Sequence, residues 1–174
     1  MSSRLLGVFS RRVDRKMRPL VLVMALVVAG CTHMAKPIYR DESSRYYEAR
    51  LPSVRRDELL NEISLYHGVP YLEGGCSLKG VDCSCLVRLV YGALGVKLPR
   101  TVKEQFGCGL PRSRREVMTG DLIFFGRGTP THVGIALSNS DVIHASRRGV
   151  VIDRIDDVSA EMGLVGVRRI VRLR

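Results

Sequence analysis

Three side chains far apart in this 174-residue sequence, Cys83, His132 and His144, are of the types that carry out nucleophilic catalysis. A thiolate is a strong nucleophile, and a neutral imidazole at about 3 Å can remove the thiol proton. A second imidazole can hold the first in one tautomer and one orientation. The sequence therefore predicts cysteine-based acyl transfer, on condition that the fold brings the three side chains together.

The segment that follows Asp82 predicts a mostly buried helix with Cys83 in its first turn. Apolar residues recur there at the helical period up to Gly95, namely Leu86, Val87, Val90, Ala93 and Leu94. Asp82 is a suitable N-cap, and the free N–H groups and positive dipole end of a helix start favour a thiolate. Cys83 also lies on the apolar stripe, so a plain core contact is the alternative role for its thiol.

His132 begins a predicted strand at 132–137 and shares a face of it with Gly134 and Ala136. The side chains on that face are very small. They predict the close approach of a helix end, which a Cys–His pair requires.

His144 lies in the next predicted strand, 142–146, and can orient His132 only if both imidazoles point to the same face. The two imidazoles point to the same face only if the two residue numbers in each cross-strand pair of this hairpin add up to an even number. A strict two-residue turn at Asn139 and Ser140 gives an odd sum and opposite faces. The hypothesis therefore requires a three- or five-residue connection or a β-bulge.

The elements that must position these side chains show helical patterns first and strand patterns after residue 121. An amphipathic helix is predicted at 59–66 and a short helical turn at 102–106. Strands are predicted at 121–125, 132–137, 142–146, 150–155 and 167–173. No helical pattern separates successive strands, which favours antiparallel pairing. The predicted fold class is α+β, with N-terminal helices packed on a largely antiparallel five-stranded sheet.

Residues 1–30 predict a signal peptide that is removed at a lipidated cysteine. A basic stretch is followed by a twelve-residue apolar run, Pro19 to Gly30, which is too short to span a bilayer. Small residues directly before Cys31 resemble the lipobox of bacterial lipoproteins, which implies that Cys31 is the acylated new N-terminus. A plain signal peptide, or a buried cysteine after an uncleaved anchor, is the alternative. Residues 31–54 lack apolar periodicity and predict a flexible tether, which leaves 55–174 as the folded domain.

Composition and charge narrow the class of protein. The chain is 45% hydrophobic and 26% charged, which is ordinary for a globular domain and excludes a disordered polyelectrolyte, a collagen and a coiled coil. Its length allows one domain with a short appendage. The formal charge is +11, but a chain that begins at residue 31 has 22 basic and 16 acidic side chains, or about +6. Much of the charge therefore belongs to the leader.

An ordered set of motifs from about residue 58 to the C-terminus resembles the NlpC family of papain-like cysteine peptidases. The motifs are Gly68-Val-Pro-Tyr71-Leu-Glu-Gly74-Gly75, Asp82-Cys83-Ser84, Leu98-Pro99-Arg100-Thr101, Gln105, Gly120-Asp121-Leu-Ile-Phe-Phe125, His132-Val-Gly-Ile135 and His144-Ala-Ser146. The resemblance implies a papain-like fold and the hydrolysis of peptide bonds in peptidoglycan stems. Such bonds are commonly those between D-γ-glutamyl and meso-diaminopimelate or between cross-linked diaminopimelate residues.

The same resemblance assigns expected roles to individual residues. Cys83 is the nucleophile, His132 the general base and acid, and His144 the polar residue that orients it. Tyr71 matches a tyrosine beside the nucleophile that contacts the substrate or the oxyanion. The neighbours of the nucleophile, Asp82 and Ser84, flank it where the substrate backbone or amine would lie. No metal or organic cofactor is expected.

One departure from the family pattern is Cys85, which stands where the family usually has glycine after Asp-Cys-Ser. A side chain at this position would narrow the site if it lies close to the sheet or the substrate. Cys76 is also unusual in its Gly-rich loop. A disulfide between Cys76 and either Cys85 or Cys108 is compatible with an oxidising envelope, and the sequence leaves both pairings open.

Other classes of function fit the sequence less well. The cysteines lack the paired C-x-x-C spacing of a zinc site. A phosphate loop fails because Val81 and Asp82 replace the required Lys-Ser or Lys-Thr. Nucleic acid is not an expected partner of an exported chain without interleaved aromatic residues. Instead of binding nucleic acid, the arginines of the chain are expected to form a solvated face or to contact acidic wall polymers and lipid headgroups.

The sequence thus predicts a lipid-anchored cysteine endopeptidase of the cell envelope. Peptidoglycan and a membrane are the expected partners, and a monomer is the expected state. In a host with two membranes, Thr32 after the lipidated cysteine resembles the pattern sent to the outer membrane, where the chain would face the periplasm. The alternative is a catalytically silent peptidoglycan-binding or scaffold lipoprotein, which Cys85 and the hairpin condition keep open.

Overall fold

A computed structural model of the chain describes residues 50–174. The predicted signal peptide at 1–30, the predicted lipid anchor Cys31 and the tether as far as residue 49 lie outside the described residues. Within 50–174, no helix combines the length and the apolar character needed to cross a bilayer.

The described residues contain four α-helices and one 3-10 turn. The helices are α1 (Arg56–Ser64), α2 (Cys83–Ala93), α3 (Val102–Phe106) and α4 (Ile155–Met162), and the turn is Arg114–Glu116. The first three confirm the helices predicted from apolar spacing. The fourth was not predicted, because the sequence analysis found no helix between successive strands. It follows the last residue of a strand directly, and its short amphipathic pattern buries only Ile155 and Val158.

The strands form one large sheet and two small pairs. They are β1 (Ser53–Val54), β2 (Cys76–Ser77), β3 (Gly80–Val81), β4 (Leu110–Arg112), β5 (Asp121–Phe125), β6 (His132–Ala136), β7 (Asp141–Ser146), β8 (Gly149–Arg154), β9 (Leu164–Arg169) and β10 (Arg172–Leu173). The large sheet has the order β4-β9-β5-β6-β7-β8, and all its neighbours are antiparallel. The α+β class and the antiparallel pairing are therefore confirmed.

The last predicted strand, 167–173, is divided in the structure into β9 of the large sheet and β10 of a small pair. Two further details of the strands also differ. The sheet has six strands rather than five, because Leu110–Arg112 pairs with β9 at the edge, where the missing N–H of Pro111 is tolerated. Ser53 and Val54, assigned to the tether, instead pair with β10 as β1, and Val54 is buried. The folded part thus begins slightly before residue 55.

Helices cover both faces of the sheet. One apolar core joins α2 to a face of β6 and β7, through Leu86, Val87, Val90, Val133, Ile135, Ile143 and Ala145. A second core joins α4 to the opposite face, through Ile123, Phe125, Ala136, Val142, Ile155 and Val158. Ala136 therefore faces α4, and the expectation that the small-residue face of β6 receives the helix of the cysteine is wrong. The larger residues Val133 and Ile135 meet that helix.

Candidate active site

Cys83 is the first residue of α2, as the sequence predicts. The N-cap is Asp82, whose carboxylate accepts a hydrogen bond of 2.8 Å from the backbone N–H of Cys85. The thiol of Cys83 is partly buried and free of any disulfide. The helix start thus holds a reduced thiol at a fixed point beside the sheet.

The environment of Cys83 favours the neutral thiol. Burial raises the pKa of this thiol and the nearby Asp82 carboxylate raises it further, whereas the backbone N–H of Val133, which donates to the sulfur, lowers it. The pKa of the Cys83 thiol is therefore raised overall. The sequence analysis expected the helix start to favour the thiolate, but here desolvation outweighs the helix N–H groups. Val133 directly follows His132, so the sulfur lies beside the strand end that carries the first imidazole.

The two imidazoles are in contact. Nε2 of His132 and Nδ1 of His144 lie 2.7 Å apart, and the ring planes are almost perpendicular at 81°. Pairing of Gly134 with His144 gives the even sum that the hypothesis requires. The connection is three residues long, since the N–H of Leu137 donates to the carbonyl of Asp141 at 2.8 Å. The stated condition on this hairpin is therefore met.

Gly134 lies directly opposite His144 and leaves room for it. An added Cβ at Gly134 would lie 2.5 Å from the Val142 side chain, 2.8 Å from the Ile143 carbonyl and 3.0 Å from Cβ of His144. Real Cβ atoms do not approach that closely. The small residue predicted to admit a helix thus serves to seat the second imidazole.

His132 is held in its neutral form. Burial lowers its pKa to about 4, and the neighbouring His144 contributes to this direction. With Nε2 engaged by His144, Nδ1 is the ring nitrogen left for another partner. A neutral thiol and a neutral imidazole are consequently the ground state of this site.

The sequence analysis missed Asp153 of β8. Its Oδ2 lies 2.9 Å from Nε2 of His144, and Arg148 of the β7–β8 turn also donates to it. The available signal was the two-residue turn between Ser146 and Gly149, because this register places residues 144 and 153 on the same face.

Arg100 is a second residue whose position the sequence did not predict. It donates to Oδ1 of Asp82 at 3.0 Å, to Oδ2 of the same carboxylate, and to the Ser84 hydroxyl at 2.8 Å. Ser84 is 5% exposed and also donates to Asp82. Burial alone would raise the pKa of Asp82, but hydrogen bonds from Arg100, Cys85 and Ser84 lower it. The only signal was the place of Arg100 in a motif of the resemblance.

Cys85 forms a disulfide with Cys76 of β2, and their Cα atoms are 5.4 Å apart. Of the two pairings left open by the sequence, the structure therefore has this one, and Cys108 is free. Cys85 is fully buried. Its side chain ties the start of α2 to the Gly-rich loop.

A cavity of about 530 Å³ opens beside the imidazoles. Tyr71, His132 and His144 line it together with the charged residues Arg147, Arg148, Asp153 and Glu161. Burial raises the pKa of Tyr71, with smaller contributions in the same direction from Cys83, Glu73 and Asp82. Across residues 50–174, no group of three or more His, Cys, Asp or Glu side chains is arranged to hold a metal ion.

Comparisons with known proteins place the chain in a family. The chain is 32% identical over 163 residues to the "Probable endopeptidase NlpC" of Escherichia coli strain K12, which covers 87% of this chain and 97% of that protein. It is 34% identical over 135 residues to the "Bifunctional muramidase/DL-endopeptidase CwlT" of Bacillus subtilis strain 168, with 70% and 41% covered.

A solved structure gives the same answer for the fold. An NlpC/P60 family protein from Bacillus cereus ATCC 10987 matches with a TM-score of 0.64 at 28% identity, over 70% of this chain and 42% of that one. The chain thus spans less than half the length of the B. subtilis and B. cereus proteins. The model of the NlpC/P60 family matches residues 68–169, which is more than half of the chain. This chain therefore belongs to the NlpC/P60 family, and the relatives it matches over most of its length bear names that describe endopeptidases.

Proposed function

We propose that the chain is a cysteine endopeptidase that hydrolyses peptide bonds in peptidoglycan stem peptides or cross-links. One observation carries the proposal. The free Cys83 thiol at the start of α2 lies beside the backbone of Val133, the residue next to His132, and Nε2 of that imidazole is 2.7 Å from Nδ1 of His144. Family membership supports the reaction class, and the names of the relatives support the kind of bond.

In the proposed mechanism the thiol transfers its proton only when it attacks. Because the pKa of Cys83 is raised and that of His132 is lowered, the resting pair is neutral rather than a thiolate–imidazolium pair. As the sulfur bonds to the substrate carbonyl carbon, the S–H bond breaks and the proton moves to Nδ1 of His132. The backbone N–H of Cys83 meets the developing oxyanion. Tyr71 is the second donor, because its raised pKa keeps the hydroxyl protonated.

Breakdown of the tetrahedral intermediate completes acylation. His132 returns the proton to the leaving amine, and a thioester remains on Cys83. A water molecule then enters, and His132 takes one of its protons as the water oxygen bonds to the thioester carbon. The C–S bond breaks, the carboxyl product leaves, and His132 returns the proton to the Cys83 sulfur. His144 keeps the ring of His132 in one orientation throughout, through the 2.7 Å contact.

Substrate contacts follow from what reaches the surface near the sulfur. Tyr71 is 39% exposed and lines the cavity beside the imidazoles. We assign it and the outer edge of the Asp82 carboxylate to the substrate backbone or amine. Ser84, which is buried, and the more exposed Arg100 both hold that carboxylate in place by hydrogen bonds.

The test is digestion of purified peptidoglycan by the chain and two cysteine variants. Cys83→Ala removes the proposed nucleophile, whereas Cys108→Ala removes a free thiol that lies near the end of α3. We expect soluble muropeptide products from the original chain and from Cys108→Ala, and none from Cys83→Ala. Mass spectrometry of the products identifies the bond that is cut.

The same experiment distinguishes the scaffold alternative. Sedimentation with insoluble peptidoglycan measures binding independently of cleavage. Binding by all three proteins without products from any of them would contradict the peptidase and favour a silent wall-binding lipoprotein.

We further propose that Cys31 carries a lipid and holds the domain at the envelope, on the periplasmic face of the outer membrane in a host with two membranes. Support comes from the order of basic, apolar and small residues before Cys31. Expression in bacteria with an alkyne-bearing fatty acid should label the full chain and Cys83→Ala, but not Cys31→Ser. Equal labelling of Cys31→Ser would contradict the anchor.

A further inference from the structure

A carboxylate continues the pair of imidazoles across the sheet. His132, His144 and Asp153 lie on three neighbouring strands, β6, β7 and β8, and on the same face of the sheet. Gly134 and Val151 are the direct partners of His144, and His132 and Asp153 lie two residues beyond these on opposite sides. Such diagonal neighbours are within reach of long polar side chains.

The two contacts in this row are hydrogen bonds of ordinary length. His132 and His144 are 2.7 Å apart, and His144 and Asp153 are 2.9 Å apart. His144 is 4% exposed, so water does not compete for its ring nitrogens. In this row of three side chains, His144 in the middle is shielded from water, and His132 and Asp153 are the two ends.

The carboxylate determines where the protons lie. Burial alone would raise the pKa of Asp153, but hydrogen bonds from His144 and Arg148 and the charge of Arg148 lower it, so this group is ionised at neutral pH. An ionised carboxylate only accepts hydrogen bonds. Nε2 of His144 must then carry a hydrogen, and in the tautomer with its single hydrogen there, Nδ1 has a lone pair that can accept from His132.

The same reasoning determines the tautomer of His132. Its Nε2 must donate to Nδ1 of His144, since that nitrogen has only a lone pair. Neutral His132 then has no hydrogen on Nδ1. This is the nitrogen that the proposed mechanism needs as a base for the thiol proton.

We propose that Asp153 is a positioning residue that fixes the tautomers of His144 and His132 and so keeps Nδ1 of His132 free as the base. This inference rests on the proposed peptidase function. Asp153 touches neither substrate nor sulfur in this mechanism and acts through His144. Arg148 keeps the carboxylate charged and in place.

The decisive variant is Asp153→Asn, which keeps the size of the side chain but can donate through its amide. If the amide donates to Nε2 of His144, both imidazoles reverse their tautomers and Nδ1 of His132 becomes protonated. We expect kcat to fall about 10- to 100-fold with KM within about twofold, because the amide keeps the size of this side chain in the cavity wall and the proposed substrate contacts, Tyr71 and Asp82, are unchanged. Asp153→Glu restores a carboxylate and should recover part of kcat.

A spectroscopic measurement separates positioning from simple support of the fold. The full chain has four histidines, so the ring nitrogens are few enough to assign by 15N NMR. In the unmodified chain His132 and His144 should both show hydrogen on Nε2, and Asp153→Asn should move this signal toward hydrogen on Nδ1. Asp156→Asn is the matched control. It makes the same chemical change three residues away, at an exposed aspartate paired with Arg114, and should leave kcat and the spectra unchanged.

Two outcomes would overturn the inference. One is a kcat for Asp153→Asn within twofold of the original. The other is a lower kcat with unchanged ring tautomers and a lower melting temperature, which would make Asp153 a support of the β7–β8 hairpin only. Failure of the function itself would look different, because Cys83→Ala would then match the original chain while the tautomer measurement would still report on Asp153.

Discussion

The two halves of the active site are held by different kinds of structure. The start of α2, with Asp82, Cys83 and Ser84, is built from residues close together in sequence and reinforced by Arg100 and the Cys76–Cys85 disulfide. The imidazole row is built from one residue on each of three strands. The nucleophile thus depends on a helix cap, and the base depends on strand register.

This difference determines how each half should respond to damage. A helix start has several redundant supports, namely the cap, the ion pair to Arg100 and the disulfide, so loss of one leaves the others. The imidazole row has no such redundancy, because a shift of one strand by one residue turns a side chain to the other face. Changes on the sheet side should therefore reduce activity more than changes on the helix side.

Among changes that leave Cys83, His132 and His144 in place, the largest effect is expected from Gly134→Ala. The new Cβ would press on Val142, the Ile143 carbonyl and Cβ of His144, so the strands must move apart and the second imidazole must shift. A displacement of about 1 Å at a positioning group costs about 100-fold in rate. We expect kcat on muropeptides to fall by about that factor.

Gly92→Ala is the control on the helix side. Nothing lies within 4 Å of a Cβ at this position of α2. Alanine in a helix should raise the free energy of unfolding by about 0.5–1 kcal/mol and leave kcat unchanged. Equal activity of Gly134→Ala and Gly92→Ala would remove the argument for a register-dependent base.

The disulfide should matter for stability rather than for chemistry. Cys76 and Cys85 are nine positions apart, and closing a loop of this size stabilises the fold by about 2.5 kcal/mol in the chain-entropy account. The double variant Cys76→Ser, Cys85→Ser should lose that amount in urea unfolding. Its kcat should stay within about threefold, because the Asp82 cap remains. A loss of activity as large as that of Gly134→Ala would show that the two halves are equally fragile.

A pH dependence of stability should come from the sheet side. His132 has a pKa of about 4 in the fold, against an ordinary value of 6.5. Between these values the unfolded chain binds more protons than the folded chain, so stability falls as the pH drops from about 6.5 to 4. After allowance for the partial exposure of His132, we expect a loss of about 2 kcal/mol over this range.

The variant His132→Gln isolates this contribution. Its unfolding free energy should change less with pH than that of the original chain, and the two curves should diverge between pH 6.5 and 4. His67→Gln, at an exposed histidine, should keep the original slope. Parallel curves for the original chain and His132→Gln would contradict the buried neutral imidazole.

The sequence predicts the helix side of the site well, because its causes are local. The apolar period after Cys83 predicts α2, and Asp82 was recognised as its cap. The sequence limits the disulfide partner of Cys76 to Cys85 or Cys108, and the distances in the structure identify Cys85.

For the sheet side, the sequence predicts only a condition that the hairpin of His132 and His144 must meet. The even sum for His132 and His144 could be stated, but the three-residue connection that satisfies it depends on the packing of both strand faces. The small-residue face of β6 is assigned to α2 in the sequence analysis because the sequence does not predict α4. In the structure, that face packs against α4. Asp153 was missed because it lies on a third strand, beyond the hairpin that the sequence analysis treated.

A smaller loss of activity than that of Gly134→Ala is expected from Arg100→Gln on the helix side. This change removes the hydrogen bonds from Arg100 to Asp82 and Ser84, but the cap from Asp82 to the Cys85 N–H remains. The Asp82 charge, no longer balanced by Arg100, should raise the pKa of the Cys83 thiol further and make proton transfer harder. Because Arg100 is 36% exposed and its ion pair is partly screened, we expect kcat/KM to fall only about tenfold. Arg88→Gln, at an exposed arginine of α2, should behave as the original chain. A loss for Arg100→Gln above that for Gly134→Ala would reverse the ranking of the two halves, because the helix start would then be the less redundant one.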